Sequence, residues 1–73
     1  MKHKKNIVLE PIDKLPLSDN ALRFLWNNQI VTLQTLLAKN IGDWQRLPGY
    51  SYHIQYELLV FLEENGLSDE VIE

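Results

Sequence analysis

Cysteine is absent from this 73-residue chain, so neither a disulfide framework nor a thiolate metal site can reinforce it. Three glycines are too few to build a phosphate-cradling loop, and no P-loop or G-x-S-x-G pattern occurs. Long apolar runs are missing as well. The longest, Leu58 to Leu62, falls far short of the about 20 residues that span a bilayer. The start, Met1-Lys2-His3-Lys4-Lys5, is basic, but only Ile7-Val8-Leu9 follow before Glu10 and Pro11. That apolar stretch is too short for a secretory signal. The expectation is a soluble, cytoplasmic chain with no membrane partner.

Chemistry-bearing clusters are equally scarce. The two histidines, His3 and His53, lack a second His, Cys or carboxylate at zinc-ligand spacing. Glu63-Glu64 and Asp69-Glu70 are adjacent pairs, whose side chains splay to different faces and read as solvated charges rather than an acid/base dyad. No catalytic residue, metal ligand or cofactor site is expected, nor a small-molecule substrate. The chain reads as a non-enzyme.

What is present is an ordinary globular composition, 45% hydrophobic, in a length that allows one small domain. Net charge is −3, unevenly spread. Three of the seven basic residues, Lys2, Lys4 and Lys5, fall in the first five positions. From Asn6 onward four basic residues face ten acids, a net −6. That balance is a poor footprint for a protein that draws affinity from phosphate contacts.

Residues 1–10 read as a flexible basic arm, 11–67 as a single helical domain and 68–73 as a frayed acidic tail. Pro11 to Leu17 alternates apolar and polar residues between two prolines. It is expected to run extended, or as one short turn, with Ile12, Leu15 and Leu17 on the core. Ser18 stands where an N-cap belongs, and the helix after it ends at Asn27-Asn28. Ala21, Leu22 and Leu25 are expected to face inward, and Asn20, Arg23 and Phe24 elsewhere. Thr32 caps a second helix, with Leu33, Leu36 and Leu37 at i, i+3, i+4. Asn40 caps a third, short one containing Trp44, which Pro48 stops. The last helix runs from Ser51 to Asn65 with Ile54, Leu58, Phe61 and Leu62 as its buried stripe, and Gly66 takes the left-handed position beyond its end. No strand emerges. The fold class is all-α, a compact bundle of four short helices after an N-terminal extended or one-turn segment.

Leu47-Pro48-Gly49-Tyr50-Ser51 joins the last two helices in a tight hairpin and aims the free amides of a helix start outward, where a phosphate can sit. Ser51 has a second reading, as an N-cap whose hydroxyl competes for those amides.

In this order and spacing, the landmarks Pro11-Ile12-Asp13-x-Leu15-x-Leu17-Ser18, Ala21 to Leu25, Ile30-x-Thr32-Leu33-x-x-Leu36-Leu37, Leu47-Pro48-Gly49, Glu57-Leu58, Leu62 and Gly66-Leu67 resemble one family. It is the C-terminal domain of the bacterial RNA polymerase alpha subunit, a helical domain with a helix-hairpin-helix element. The resemblance implies a transcription role. The family domain touches the minor groove of A·T-rich promoter DNA, activators and sigma factor. Its DNA surface is the start of the first helix together with the hairpin leading into the last. It also implies a free-standing relative, because the large polymerase-assembly domain is not in this sequence.

The match breaks down on that surface. Asn20 stands where the family has its principal DNA-contacting arginine, and Arg23 where it has an asparagine one turn later. Ser51 replaces the hairpin glycine, Tyr52 and His53 replace lysines, and Ile54 replaces a serine; Glu57 is retained. Phe24 and Trp26 replace a small residue and a lysine. The nucleic-acid-binding candidates are therefore Asn20, Arg23, Ser51, Tyr52, His53 and Glu57. The protein-contact candidates are Phe24, Trp26, Tyr52 and Ile54, which suit a protein partner if they share one exposed face. Three readings follow: a module of the transcription machinery acting through protein contacts with an eroded DNA surface, a weak DNA-binding domain, and a homodimer that buries the aromatic patch.

Overall fold

Each helix starts on the residue that the sequence nominates as its cap. A computed structural model describes residues 4–72, which contain four α-helices: α1 Asp19–Asn27, α2 Leu33–Leu37, α3 Ile41–Gln45 and α4 Tyr52–Glu64. The side-chain oxygens of Ser18, Thr32, Asn40 and Ser51 accept from the amides of Ala21, Thr35, Asp43 and Ile54, three residues on in every case. One otherwise orphaned donor per helix is satisfied this way. No strand forms among the described residues, and the protein is all-α.

Two helix ends share one device. At the end of α4 the Leu67 amide donates to Leu62 O (2.8 Å) and the Gly66 amide to Glu63 O (3.1 Å), with Gly66 at φ +73°. At the end of α1 the Ile30 amide donates to Leu25 O (2.9 Å) and the Gln29 amide to Trp26 O (3.0 Å). Both are Schellman closures, and each drops its following residue, Leu67 or Ile30, into the core. Gln29 occupies the left-handed position at φ +58°, where an L side chain is costly and glycine is at ease. Gln29→Gly is therefore expected to stabilise the domain by about 0.5–1 kcal/mol, once glycine's extra unfolded-state entropy is subtracted. A higher urea midpoint at unchanged slope is the readout.

The core is a single cluster centred on Trp44, Leu25, Leu36, Leu58 and Leu62. Helix α1 packs on α4, and 3-10 turns at Lys4–Leu9 and Ile12–Lys14 lie against α2 and α1. The Cα radius of gyration, 11.2 Å, matches the roughly 11 Å expected of a fully collapsed chain this long, so the short helices enclose one core. Ile12, Leu15 and Leu17 are buried, as the alternation in that segment predicts.

Three expectations are corrected. Within the supposed free arm, Ile7 and Val8 are half-buried against the core, because Lys4–Leu9 coils into a 3-10 turn over α2. Residues 1–3 lie outside the described residues. The tail is pinned rather than frayed: Ser68–Glu70 forms a 3-10 turn, and Ile72 O accepts from the Ile41 amide at 2.9 Å. Ile41 opens α3, so its amide has no acceptor within the helix and the tail supplies one. Glu73 is outside the described residues.

The third correction is Phe24, which points inward. Ala21, Phe24 and Leu25 are the buried residues of α1, whereas Leu22 is only half-buried. The reason is the hairpin. Gly49, at φ +84°, carries the turn over α1, where a side-chain carbon added to it would stand in ordinary contact with the Phe24 ring, at 3.6 Å. Phe24 is the surface on which the hairpin rests.

Candidate functional site

Two ties hold α1 beside the hairpin and α4, and both come from residues far apart in sequence. At the start of α1, the Ser18 amide and hydroxyl each donate to the Glu57 carboxylate at 2.6 Å. The Ser18 hydroxyl meanwhile accepts from Ala21 N. This is the geometry of a capping box, with the carboxylate supplied by α4 instead of by the third residue of the same helix. At the other end of α1, the Asn28 side-chain amide donates to Phe24 O (2.8 Å) and to Pro48 O (3.0 Å), which fastens the helix to the hairpin.

Between the ties lies an open groove of about 470 Å³. Phe24 and Ile54, both nearly buried, form its floor, and its rim is polar. Asn20, Arg23 and Asn27 line one side, at i, i+3, i+7 along α1. Ser51, His53 and Glu57 line the other. Five of the six nucleic-acid candidates thus meet around one depression. Tyr52 does not line it and stands 68% exposed on α4.

The groove's electrostatics are mixed. Arg23 is exposed and, among the described residues, has no ion-pair partner. Glu57 brings a carboxylate into the same groove, already committed to Ser18. At the start of α4 the Ser51 hydroxyl takes the Ile54 amide at 3.2 Å, and the Gln55 amide bonds to Ser51 O. The N-cap reading of Ser51 holds, and only the amides of Tyr52 and His53 remain for an incoming acceptor.

The protein-contact candidates do not share a face. Phe24 is 4% exposed and Ile54 9%, so neither presents a contact surface. Two residues along an α-helix are about 200° apart around its axis, which puts Trp26 nearly opposite Phe24 and Tyr52 nearly opposite Ile54. Trp26, 57% exposed, instead lines a neighbouring open groove of about 330 Å³ with Ile12, Asp13, Asp19, Leu22 and Arg23. Arg23 and Asn27 line both grooves, so the two depressions adjoin along α1.

Sequence reasoning missed Asn28, Asp13 and Asp19. An asparagine just past a helix is a recognisable capping signal. For Asp19 the signal is helical spacing, since Asp19, Leu22 and Trp26 fall at i, i+3, i+7 on one face of α1; for Asp13 no sequence signal exists, because the fold of the 12–14 turn brings it to Trp26. Among the described residues no three His, Cys, Asp or Glu side chains come together to hold a metal ion, and no helix is long and apolar enough to cross a membrane. Compared with protein-family models, curated proteins and solved structures, the chain matches none.

Proposed function

We propose that this chain is a binding module of the transcription machinery that acts through protein contacts, its DNA surface having been eroded. The transcription context rests on the resemblance at Pro11 to Leu67. So does the finer fold, that of the C-terminal domain of a polymerase alpha chain with its helix-hairpin-helix element. The observation that carries the erosion is the content of the α1–α4 groove. Where phosphate binding needs cations and open amides, Ser51 covers the Ile54 amide, His53 stands where the resembled family has a lysine, and Arg23 is the one Lys or Arg lining the groove. The role is binding rather than catalysis: both grooves are open, and the Ser18 hydroxyl and Glu57 carboxylate that meet in the first are engaged in capping α1.

A second reading, weak DNA binding, draws on the convergence of Asn20, Arg23, Ser51 and His53. A titration of the labelled protein with a short A·T-rich duplex, followed by NMR at low and moderate salt, separates the two. The expected result is no saturable shift at either salt. Shifts confined to Asn20–Phe24 and Ser51–Glu57 and suppressed by salt would establish the second reading instead, since counterion release makes phosphate contacts salt-sensitive. In the same series, binding to purified bacterial RNA polymerase holoenzyme is expected, and its absence removes the transcription assignment.

A further inference from the structure

Trp26 is the large apolar side chain that α1 leaves in solvent, and it stands in a groove with two carboxylates. Asp13 comes from the 12–14 turn and Asp19 from the first turn of α1. Neither carboxylate has an ion-pair or hydrogen-bond partner among the described residues. Lys14, next to Asp13 in sequence, does not neutralise the groove, because it lines a different depression with Glu10 and Glu64. The local charge is two acids against Arg23, on a body that carries −6 from Asn6 onward.

We infer that the Trp26 groove docks a basic segment of a protein partner, an arginine or lysine of which stacks on the Trp26 indole while Asp13 and Asp19 pair with its charge. Indole is the strongest aromatic acceptor for a cation, and nearby carboxylates hold that cation over the ring. Leu22, half-buried beside Trp26, offers an apolar wall for the neighbouring side chain of the same segment. Arg23 closes the groove on the side facing α4, where it repels a second cation and sets the direction in which the segment leaves. Tryptophan and arginine in one depression are also the residue types that dominate binding energy at protein interfaces. The inference deepens the protein-contact reading and rests on it.

The test uses two synthetic peptides of identical length, one alternating arginine with leucine and one alternating glutamate with leucine. Each is titrated into the labelled full chain. The basic peptide is expected to shift the Trp26 indole signal and the amides of Asp13, Asp19 and Leu22, leaving the Trp44 indole still; the acidic peptide is expected to shift none of them. Trp26→Ala should weaken the basic peptide about tenfold or more, and so should Asp13→Asn combined with Asp19→Asn. Glu63→Gln with Glu64→Gln, an equal loss of charge outside this groove, should leave affinity unchanged. Equal binding of both peptides, or an effect of the Glu63/Glu64 variant as large as that of Asp13/Asp19, overturns the inference. So does a Trp26 shift that tracks protein concentration without peptide, which would give the groove to a second copy of the chain. Polymerase binding that persists while the basic peptide fails to bind sinks this inference alone. Loss of polymerase binding with the peptide still bound sinks the transcription context alone.

Discussion

Trp44→Ala is expected to leave the domain unfolded at ordinary temperature. Trp44 is 1% exposed at the centre of the core, and its ring N–H donates to Leu36 O at 3.2 Å. Replacing a buried tryptophan by alanine costs about 3–5 kcal/mol. A single core of this size provides only about 3–5 kcal/mol in total, and with no cysteine in the chain no disulfide supplements it. Most of the loss is the cavity, because Leu36 O keeps a second donor, the Lys39 amide at 3.1 Å. Trp44→Phe, which fills much of the volume, should therefore cost only about 1–2 kcal/mol. Far-ultraviolet circular dichroism on heating checks both. A cooperative Trp44→Ala melt near the wild-type temperature contradicts the central place given to this side chain. Trp26→Ala is the natural control, since a surface substitution is expected to fall within about 0.5 kcal/mol of wild type.

The second large effect is expected at Glu57, a partly exposed side chain. Glu57→Ala removes both short, charge-assisted bonds to Ser18, at a cost of about 1.5–3 kcal/mol after allowance for solvent. Glu57→Gln keeps the geometry with neutral partners and should lose about half as much. Beyond stability, the substitution should loosen one wall of the α1–α4 groove, which amide exchange at Ser18, Ala21 and Leu22 would report. A double-mutant cycle with Ser18→Ala isolates the coupling between the two residues. A coupling near zero would mean that Glu57 acts as an ordinary surface charge and that the start of α1 is held by other contacts.

All four helix caps are legible in the chain because a cap is a local interaction. A Ser, Thr or Asn meets an amide three residues away whatever the rest of the molecule does. The left-handed Gly66 and the α4 stripe of Ile54, Leu58, Phe61 and Leu62, of which only Phe61 stays half-buried, are local in the same sense, since they follow from helix geometry alone. The same geometry also dictates that Phe24 and Trp26 cannot share a face, so the helical repeat by itself rules out the supposed aromatic patch.

The choice between those two residues is a different matter. Ala21, Leu22, Phe24, Leu25 and Trp26 present more apolar surface than one side of a short helix can bury, and periodicity admits either rotation of α1. The hairpin decides. Gly49 comes down on Phe24, Asn28 holds Pro48 in place, and Trp26 is left outside beside Asp13 and Asp19. The Glu57–Ser18 tie spans 39 residues, and the Ile72–Ile41 bond crosses from the tail to α3. Apart from Asp19 and Trp26, seven residues apart on one face of α1, none of these pairings has a sequence period. Where the helices begin and end, and which residues can be inward, belongs to the amino-acid order, because bonds three or four residues apart set it. Which of them are inward, and so which side chains are left together at the surface to bind, depends on how the helices pack, because the burial of one face is worth more than any local preference of a nine-residue helix.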